Sequence, residues 1–336
     1  MTGDASIAGT EDALVVRPAS ESLNDSGRRR QVGDRIFFHV TRSLAVFVLI
    51  LAALLIIELF RGSSEAIDRF GAGFITGTNW DPIAEQFGTL PTIIGTLLKA
   101  GLAILLAVPI ALATAIYLAL YAPPWLRGPL SYIVESLASI PSVIIGLWGL
   151  FVLVPVVRVI QIWLKGHFGW FPPFAGPAVF GVGILAAGII LAIMITPIIA
   201  AVSRDVIRAV PRAQMEGILA LGATRWEAVW KVVLPYCRTG VFGAVILGLG
   251  RAIGETMAVT MVGGNAFKLV TSLFDPVHSM ASQIAAEFSE AASNLYVSSL
   301  FYVGLVLFAI TVLIEILAQV MIWRISKGRG EARPQV

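Results

Sequence analysis

The chain has 336 residues, of which 57% are hydrophobic and 13% charged. That is about half the roughly 25% charge with which a soluble domain covers its surface, so a water-soluble globular protein is excluded and contact with lipid is implied. The net charge of +3 is small, and a single cysteine, Cys237, excludes an internal disulfide framework and any cysteine-rich metal site.

Residues 1–34 are polar and are expected to form a disordered tail. The run Arg28-Arg29-Arg30 in a soluble protein would suggest nucleic-acid binding. Directly before an apolar run it reads as a topology anchor, and no nucleic-acid partner is expected. Six stretches approach the roughly 20 apolar residues that a helix needs to cross a bilayer: 37–60, 91–120, 130–156, 178–202, 236–264 and 296–323. They are too long for lipid-facing barrel strands and lack the required alternation, which predicts an all-α polytopic membrane protein with six transmembrane helices. The first run is longer than a signal-peptide core and has no small-residue cleavage site after it, so it reads as an uncleaved span. Loop charges give the orientation. With the N-terminus inside, seventeen Lys and Arg residues fall on the inner side and five on the outer, which predicts that both termini are cytoplasmic. The expected organisation is one six-span domain over 35–325 and a short cytoplasmic tail over 326–336.

Within the spans, Lys99 lies eight residues into the second and is expected to snorkel outward. Glu135 reads as a structural residue near the cytoplasmic end of the third, and Glu58 and Glu315 sit towards span ends. Pro109, Pro141 and Pro197 are expected to kink their helices. His39, His167 and His278 are scattered without metal-ligand spacing.

The loop between the fourth and fifth spans, SRDVIRAVPRAQMEGILALGATRWEAVWKVVLP at 203–235, is not a plain connection. Pro211 suits a first helical turn, and Gly222 suits a left-handed helix stop. Thr224 with Glu227 three residues on forms a capping box, and Pro235 marks a hinge into the fifth span. This predicts a rigid helix pair over 210–234, able to pass displacement from a soluble partner to the spans it joins. A surface helix pair without a partner is the plainer alternative.

The fifth span carries two charges. Arg251 falls near its middle and Glu255 follows at i+4, which on a continuous helix puts both side chains on one face. An arginine at mid-bilayer costs at least ~2.5 kcal/mol on insertion scales. An ion pair that only locks helix packing is one reading, although Arg before Glu is the poorer order along a helix. The other is a weak anion point in a water-lined path. Guanidinium presents a planar fork matched to phosphate oxygens, and the carboxylate keeps the site weak enough to empty. Gly240, Gly243, Gly248, Gly250 and Gly254 line this span, with Gly250 and Gly254 at small-xxx-small spacing for close helix approach. Beyond it, Met280, Ile284 and Phe288 in segment 272–292 recur every four residues, which suits an amphipathic helix on the outer interface or a landing surface for a binding protein.

The loop resembles that of ABC-importer permeases. Glu216, Gly222 six residues later and Val232-Val233-Leu234-Pro235 keep that family's spacing, with Gly217, Ile218 and Val232 as departures. The resemblance implies a type I (MetI-like) permease fold and docking of Glu216, Gly222, Leu234 and Pro235 on an ATPase subunit. GRAIGETMAV at 250–259 is similar to the PstC family of phosphate-transporter permeases, whose sister PstA family carries GETAP at this place. Met257 favours the first. FITGTNWDP at 74–82, LPTIIGTL at 90–97, AVPIALATAIYLALYAP at 107–123 and IPSVIIGLWGLF at 140–151 agree, so the resemblance spans residues 35–325. It implies a bacterial inner-membrane location and a pairing with a homologous PstA permease, two PstB ATPase subunits and a PstS phosphate-binding protein. It also implies inorganic phosphate as substrate, with passage at Arg251 and Glu255.

No Gly-x4-Gly-Lys-Ser/Thr loop is present, so ATP and magnesium are expected on the partner ATPase and no cofactor on this chain. Neither HExxH nor Gly-x-Ser-x-Gly occurs, which weakens any reading as a membrane hydrolase. The rivals are a permease for sulfate or molybdate and a secondary anion transporter. The latter would have no use for the helix-pair loop.

Overall fold

The computed structural model describes the backbone of residues 19–176 and 180–327, and side chains over 35–176 and 180–324. By its internal contacts the chain divides at Glu58. The first unit is the greater part of helix α1 (Ala19–Gly62), which includes the apolar span 35–62. Helix α1 begins inside the segment 1–34 expected to be a disordered tail. Extending an existing helix costs far less than nucleating one, and polar residues can follow the apolar span upstream on that basis. Residues 1–18 and 328–336 of the two expected tails lie outside the described residues.

The remaining unit is built around helix α8 (Ile184–Arg208), whose apolar window is 72% buried. Helix α4 (Leu90–Ile116) lies against it. Ala100, Ala103, Ala107, Ala111 and Ala115, spaced three and four apart, are all buried, so a seam of methyl groups lets the two backbones come close. The same core takes Ile190, Leu191, Ile195 and Ile199 from α8. Helix α11 (Leu234–Gly254) takes another side of α8, where Gly240 meets Val206 and Gly248 meets Ile199. The close-approach glycines are therefore Gly240 and Gly248. Gly254 has nothing within 4 Å of a would-be Cβ, and Gly250 has only the Glu315 carboxylate at 3.8 Å, so among the described residues the Gly250/Gly254 spacing seats no close backbone approach.

Six helices are long and apolar enough to span a bilayer: 35–62, 90–121, 142–168, 184–208, 225–254 and 294–324. The third is not where hydropathy alone puts it. Helix α5 (Pro124–Ala138) ends at Ser139, and the span restarts after Pro141 as α6 (Ser142–Trp148) running into α7 (Val154–Phe168). Proline pushes the residue before it out of the helical region, so Pro141 breaks the chain at Ile140 and does not merely kink it. Two other prolines follow π-helical turns: residues 149–153 precede Pro155 and residues 229–233 precede Pro235, and the wider turn accommodates the ring and the carbonyl it leaves without a donor. Consequently α10 (Arg225–Ala228) and α11 form one continuous 30-residue helix. Pro109 and Pro197 instead lie inside α4 and α8, neither of which is interrupted there.

On the face opposite the helix-pair loop, α2 (Ser64–Phe70), α3 (Gly73–Thr76), the hairpin β1 (Trp80–Asp81) and β2 (Gln86–Phe87), and α13 (Met280–Glu287) pack on α14 (Asn294–Lys327). Phe74 stacks on Tyr302 with centroids 4.3 Å apart, and the Glu287 carboxylate accepts hydrogen bonds from Trp80 and Tyr296 at 2.7 and 2.9 Å. Met280 is fully buried there and Ile284 packs on the same cluster. Met280 and Ile284 of segment 272–292 are thus used by this chain's own core, and only Phe288 of the predicted apolar face stays exposed.

Candidate functional site

Helix α11 ends at Gly254 and not at 264. Thr256 Oγ1 donates to the Gly254 carbonyl at 3.2 Å, a local bond that competes with helix continuation, and Glu255 takes extended backbone angles (φ −69°, ψ 126°). Two expectations fall with it. Arg251 stands in the last turn of the helix, not near its middle, and Glu255 is off the helix, so the same-face argument for the pair does not hold. The Glu255 carboxylate faces the next helix, α12 (Met257–Val262), where Oε1 accepts from the Ala258 N–H at 3.4 Å. Arg251 is exposed and makes no ion pair or hydrogen bond among the described residues. It lies on a stripe with Gly243, Leu247 and Gly254, spaced three and four apart. Leu247 is 55% exposed, and neither glycine has an atom within 4 Å of a would-be Cβ. This face of α11 is left open by the described residues.

The helix pair is formed as expected. Helix α9 (Arg212–Ala220) starts directly after Pro211 and closes at Gly222, whose φ of +87° is the left-handed stop. Thr224 Oγ1 accepts from the Glu227 N–H at 3.3 Å while the Glu227 carboxylate accepts from the Thr224 N–H at 2.9 Å, and Lys231 pairs with Glu227 at 3.0 Å. Glu216 is exposed. Leu234 and Pro235 are half-buried where the π turn meets α11, so their part is to attach the pair to the span. Sequence reasoning missed the apolar tip. Leu221 is 88% exposed, and Trp226 and Trp230, also exposed, pack edge to face at 5.4 Å. The spacing of two tryptophans at i and i+4 beside the glycine corner was the available signal.

Among the other polar groups, Lys99 is placed differently from a hydropathy reading. Lys99 does not snorkel; it is 1% exposed and donates to the Val277 carbonyl. Gly95, one turn earlier on the same face, lets the His278 carbonyl come against α4, and this approach brings the acceptor to Lys99. Burial, with the Lys99 charge nearby, pushes the His278 imidazole down to about 4. Glu135 pairs with Arg204 at 2.8 Å, and Arg204 also pairs with Asp205 at 2.8 Å, a structural role as expected. No group of three metal-ligating side chains occurs among the described residues.

Six membrane-length helices with a capped helix pair between two of them are the build of an ABC-importer membrane component. Residues 107–327 match the family model of the binding-protein-dependent transport system inner membrane component. The chain belongs to that family and, within it, to the PstC phosphate transport permeases. It is 48% identical to the phosphate transport system permease protein PstC of Pasteurella multocida over 88% of this chain and 94% of that one. To the PstC protein of Haemophilus influenzae it is 47% identical over 89% and 96%. In fold it is similar to a chain of the MetNI methionine ABC transporter solved in inward-facing conformations (TM-score 0.55, 19% identity, 74% of this chain and 99% of that chain covered).

Proposed function

We propose that this chain is the channel-forming subunit through which an ATP-driven importer carries inorganic phosphate into the cytoplasm. The reading is supported by membership of the PstC family and carried by one observation, the uncompensated guanidinium of Arg251 on the open face of α11. A fixed cation that lipid would penalise, with no counter-ion among the described residues, suits a conduit shared with a second membrane subunit. That subunit is a homologous permease of the PstA type. The open glycine positions Gly243 and Gly254 beside Arg251 leave room there for a solute and its water. Glu255, turned towards α12, tunes the local field without cancelling the charge.

Energy comes from elsewhere. Two PstB-type ATPase subunits bind ATP and magnesium and grip the helix pair through Glu216 and the corner at Gly222, with Leu221 and Trp226 as the apolar contact. This chain holds no cofactor. Closure of the ATPase pair pushes the helix pair, the continuous helix 225–254 passes the displacement to Arg251, and the spans move from inward- to outward-facing. Hydrolysis resets them. A PstS-type binding protein delivers phosphate from outside and supplies most of the selectivity. The inner membrane is the site, with both termini cytoplasmic, in line with the loop-charge bias.

The test is reconstitution of the full transporter in proteoliposomes with ATP-dependent uptake of labelled phosphate. Arg251→Gln is expected to lower uptake at least tenfold while leaving assembly unchanged, and Arg251→Lys to restore part of it. Unchanged uptake in Arg251→Gln defeats the anion-path role.

A further inference from the structure

Behind the helix pair lies a cavity of about 470 Å³, walled on one side by α9 and the start of α10 and on the other by the ends of the second and fourth spans. Four arginines line it, Arg127, Arg208, Arg212 and Arg225, with a single acidic residue, Glu216. The other carboxylates nearby are engaged. Glu135 and Asp205 are held by Arg204, and Glu227 by Lys231 and the Thr224 cap. Arg212 and Arg225 make no ion pair or hydrogen bond among the described residues.

A structural account covers only half of this. Arg127 donates to the Ala122 carbonyl at 3.2 Å and Arg208 to the Leu118 carbonyl at 3.3 Å, so both satisfy carbonyls at the C-terminal end of α4, a favourable place for cations. Even so, the Arg127 Nε–H is buried without an acceptor among the described residues. The bias of positive residues towards one membrane side accounts for arginines on this face but not for their convergence on one concave volume, where like charges repel. Guanidinium forks from two directions around one hollow are the arrangement that recognises a phosphate group.

We infer that this cavity binds a phosphate group, either free inorganic phosphate or the headgroup of an anionic lipid. It is separate from the Arg251 path and joins the span ends to the helix pair. Because Arg212 and Arg225 sit on the pair while Arg127 and Arg208 sit on the span side, an occupant stiffens the joint through which ATP-driven motion passes. Occupancy therefore sets how tightly the ATPases and the spans are coupled.

The experiment uses the membrane complex of both permeases and both ATPase subunits, without the phosphate-binding protein, in nanodiscs of phosphatidylcholine alone or with phosphatidylglycerol added. Labelled inorganic phosphate is titrated onto the first, and lipid retained after exchange into detergent is measured on the second by mass spectrometry. The variants are Arg212→Gln/Arg225→Gln, the charge-keeping Arg212→Lys/Arg225→Lys, and Arg251→Gln. Free phosphate as the occupant predicts saturable binding that weakens at least tenfold in the Gln pair, recovers in part in the Lys pair and persists in Arg251→Gln. A lipid headgroup predicts no phosphate binding that responds to the Arg212/Arg225 substitutions, but retention of phosphatidylglycerol with the same order among variants. Equal phosphate and lipid signals in wild type and the Gln pair overturn the inference. So does phosphate binding that disappears only in Arg251→Gln, since that signal belongs to the permeation path.

Discussion

Gly222 turns the chain between α9 and the capped start of α10 with φ at +87°, and no atom lies within 4 Å of where a Cβ would stand. Any penalty for a side chain there is purely conformational. Gly222→Ala is expected to cost about 1 kcal/mol, the lower end of the left-handed penalty for an L-residue, and Gly222→Asn clearly less. Thermal unfolding of the assembled transporter measures this, and equal midpoints for Ala, Asn and wild type would show that the corner relaxes. This position and the Thr224–Glu227 box were legible in the sequence because caps and left-handed stops are decided by residues within a few positions of one another. The geometry of Arg251 and Glu255 was not. A charge pair at i and i+4 reads as one face only if the helix continues, and here the Thr256 hydroxyl bond to the Gly254 carbonyl ends it. Lys99 was misread for a related reason: its acceptor, the Val277 carbonyl, arrives from 178 residues further along the chain.

At the scale of elements, the sequence marks the apolar runs well and their ends poorly. Proline is the main cause, since a ring before a helix breaks it, as at Pro141, while a ring inside one can be absorbed by a π turn, as before Pro155 and Pro235. Which of these occurs depends on what packs alongside. The docking of segment 277–280 on α4 is such a packing matter. A Cβ at Gly95 would stand 2.3 Å from the His278 carbonyl oxygen, a backbone atom that cannot rotate aside. Gly95→Ala is therefore expected to lift the segment off the helix, with overpacking costing about 1–3 kcal/mol, and to strip Lys99 of its acceptor. Amide exchange across residues 264–279 should rise in this variant, together with that of Ile184 and Leu185, whose N–H groups donate to Asp275 and Leu273, and exchange in the rest of α8 should be unchanged. Protection equal to wild type across the segment would mean that the helix, not the loop, gives way.

For the molecule as a whole, composition alone excluded a soluble fold, and six spans followed from run length. What composition cannot show is which apolar faces the chain covers by itself. Helix α8 is enclosed by neighbours, whereas α11 presents Gly243, Leu247, Arg251 and Gly254 on one uncovered line. A charged residue on a face turned to lipid would be expelled, so a face that keeps one calls for another protein surface across a wet gap. The free cysteine Cys237 is buried, which leaves a quiet background for introduced thiols. Leu247→Cys in the assembled transporter is expected to cross-link in high yield, through a short bifunctional reagent, to a cysteine placed on the partner permease's corresponding helix. Ala244→Cys, fully buried and turned inward, is expected to give none. Strong cross-linking from position 244, or none from 247 with any partner position tested, would place the shared conduit on another face and take Arg251 out of it.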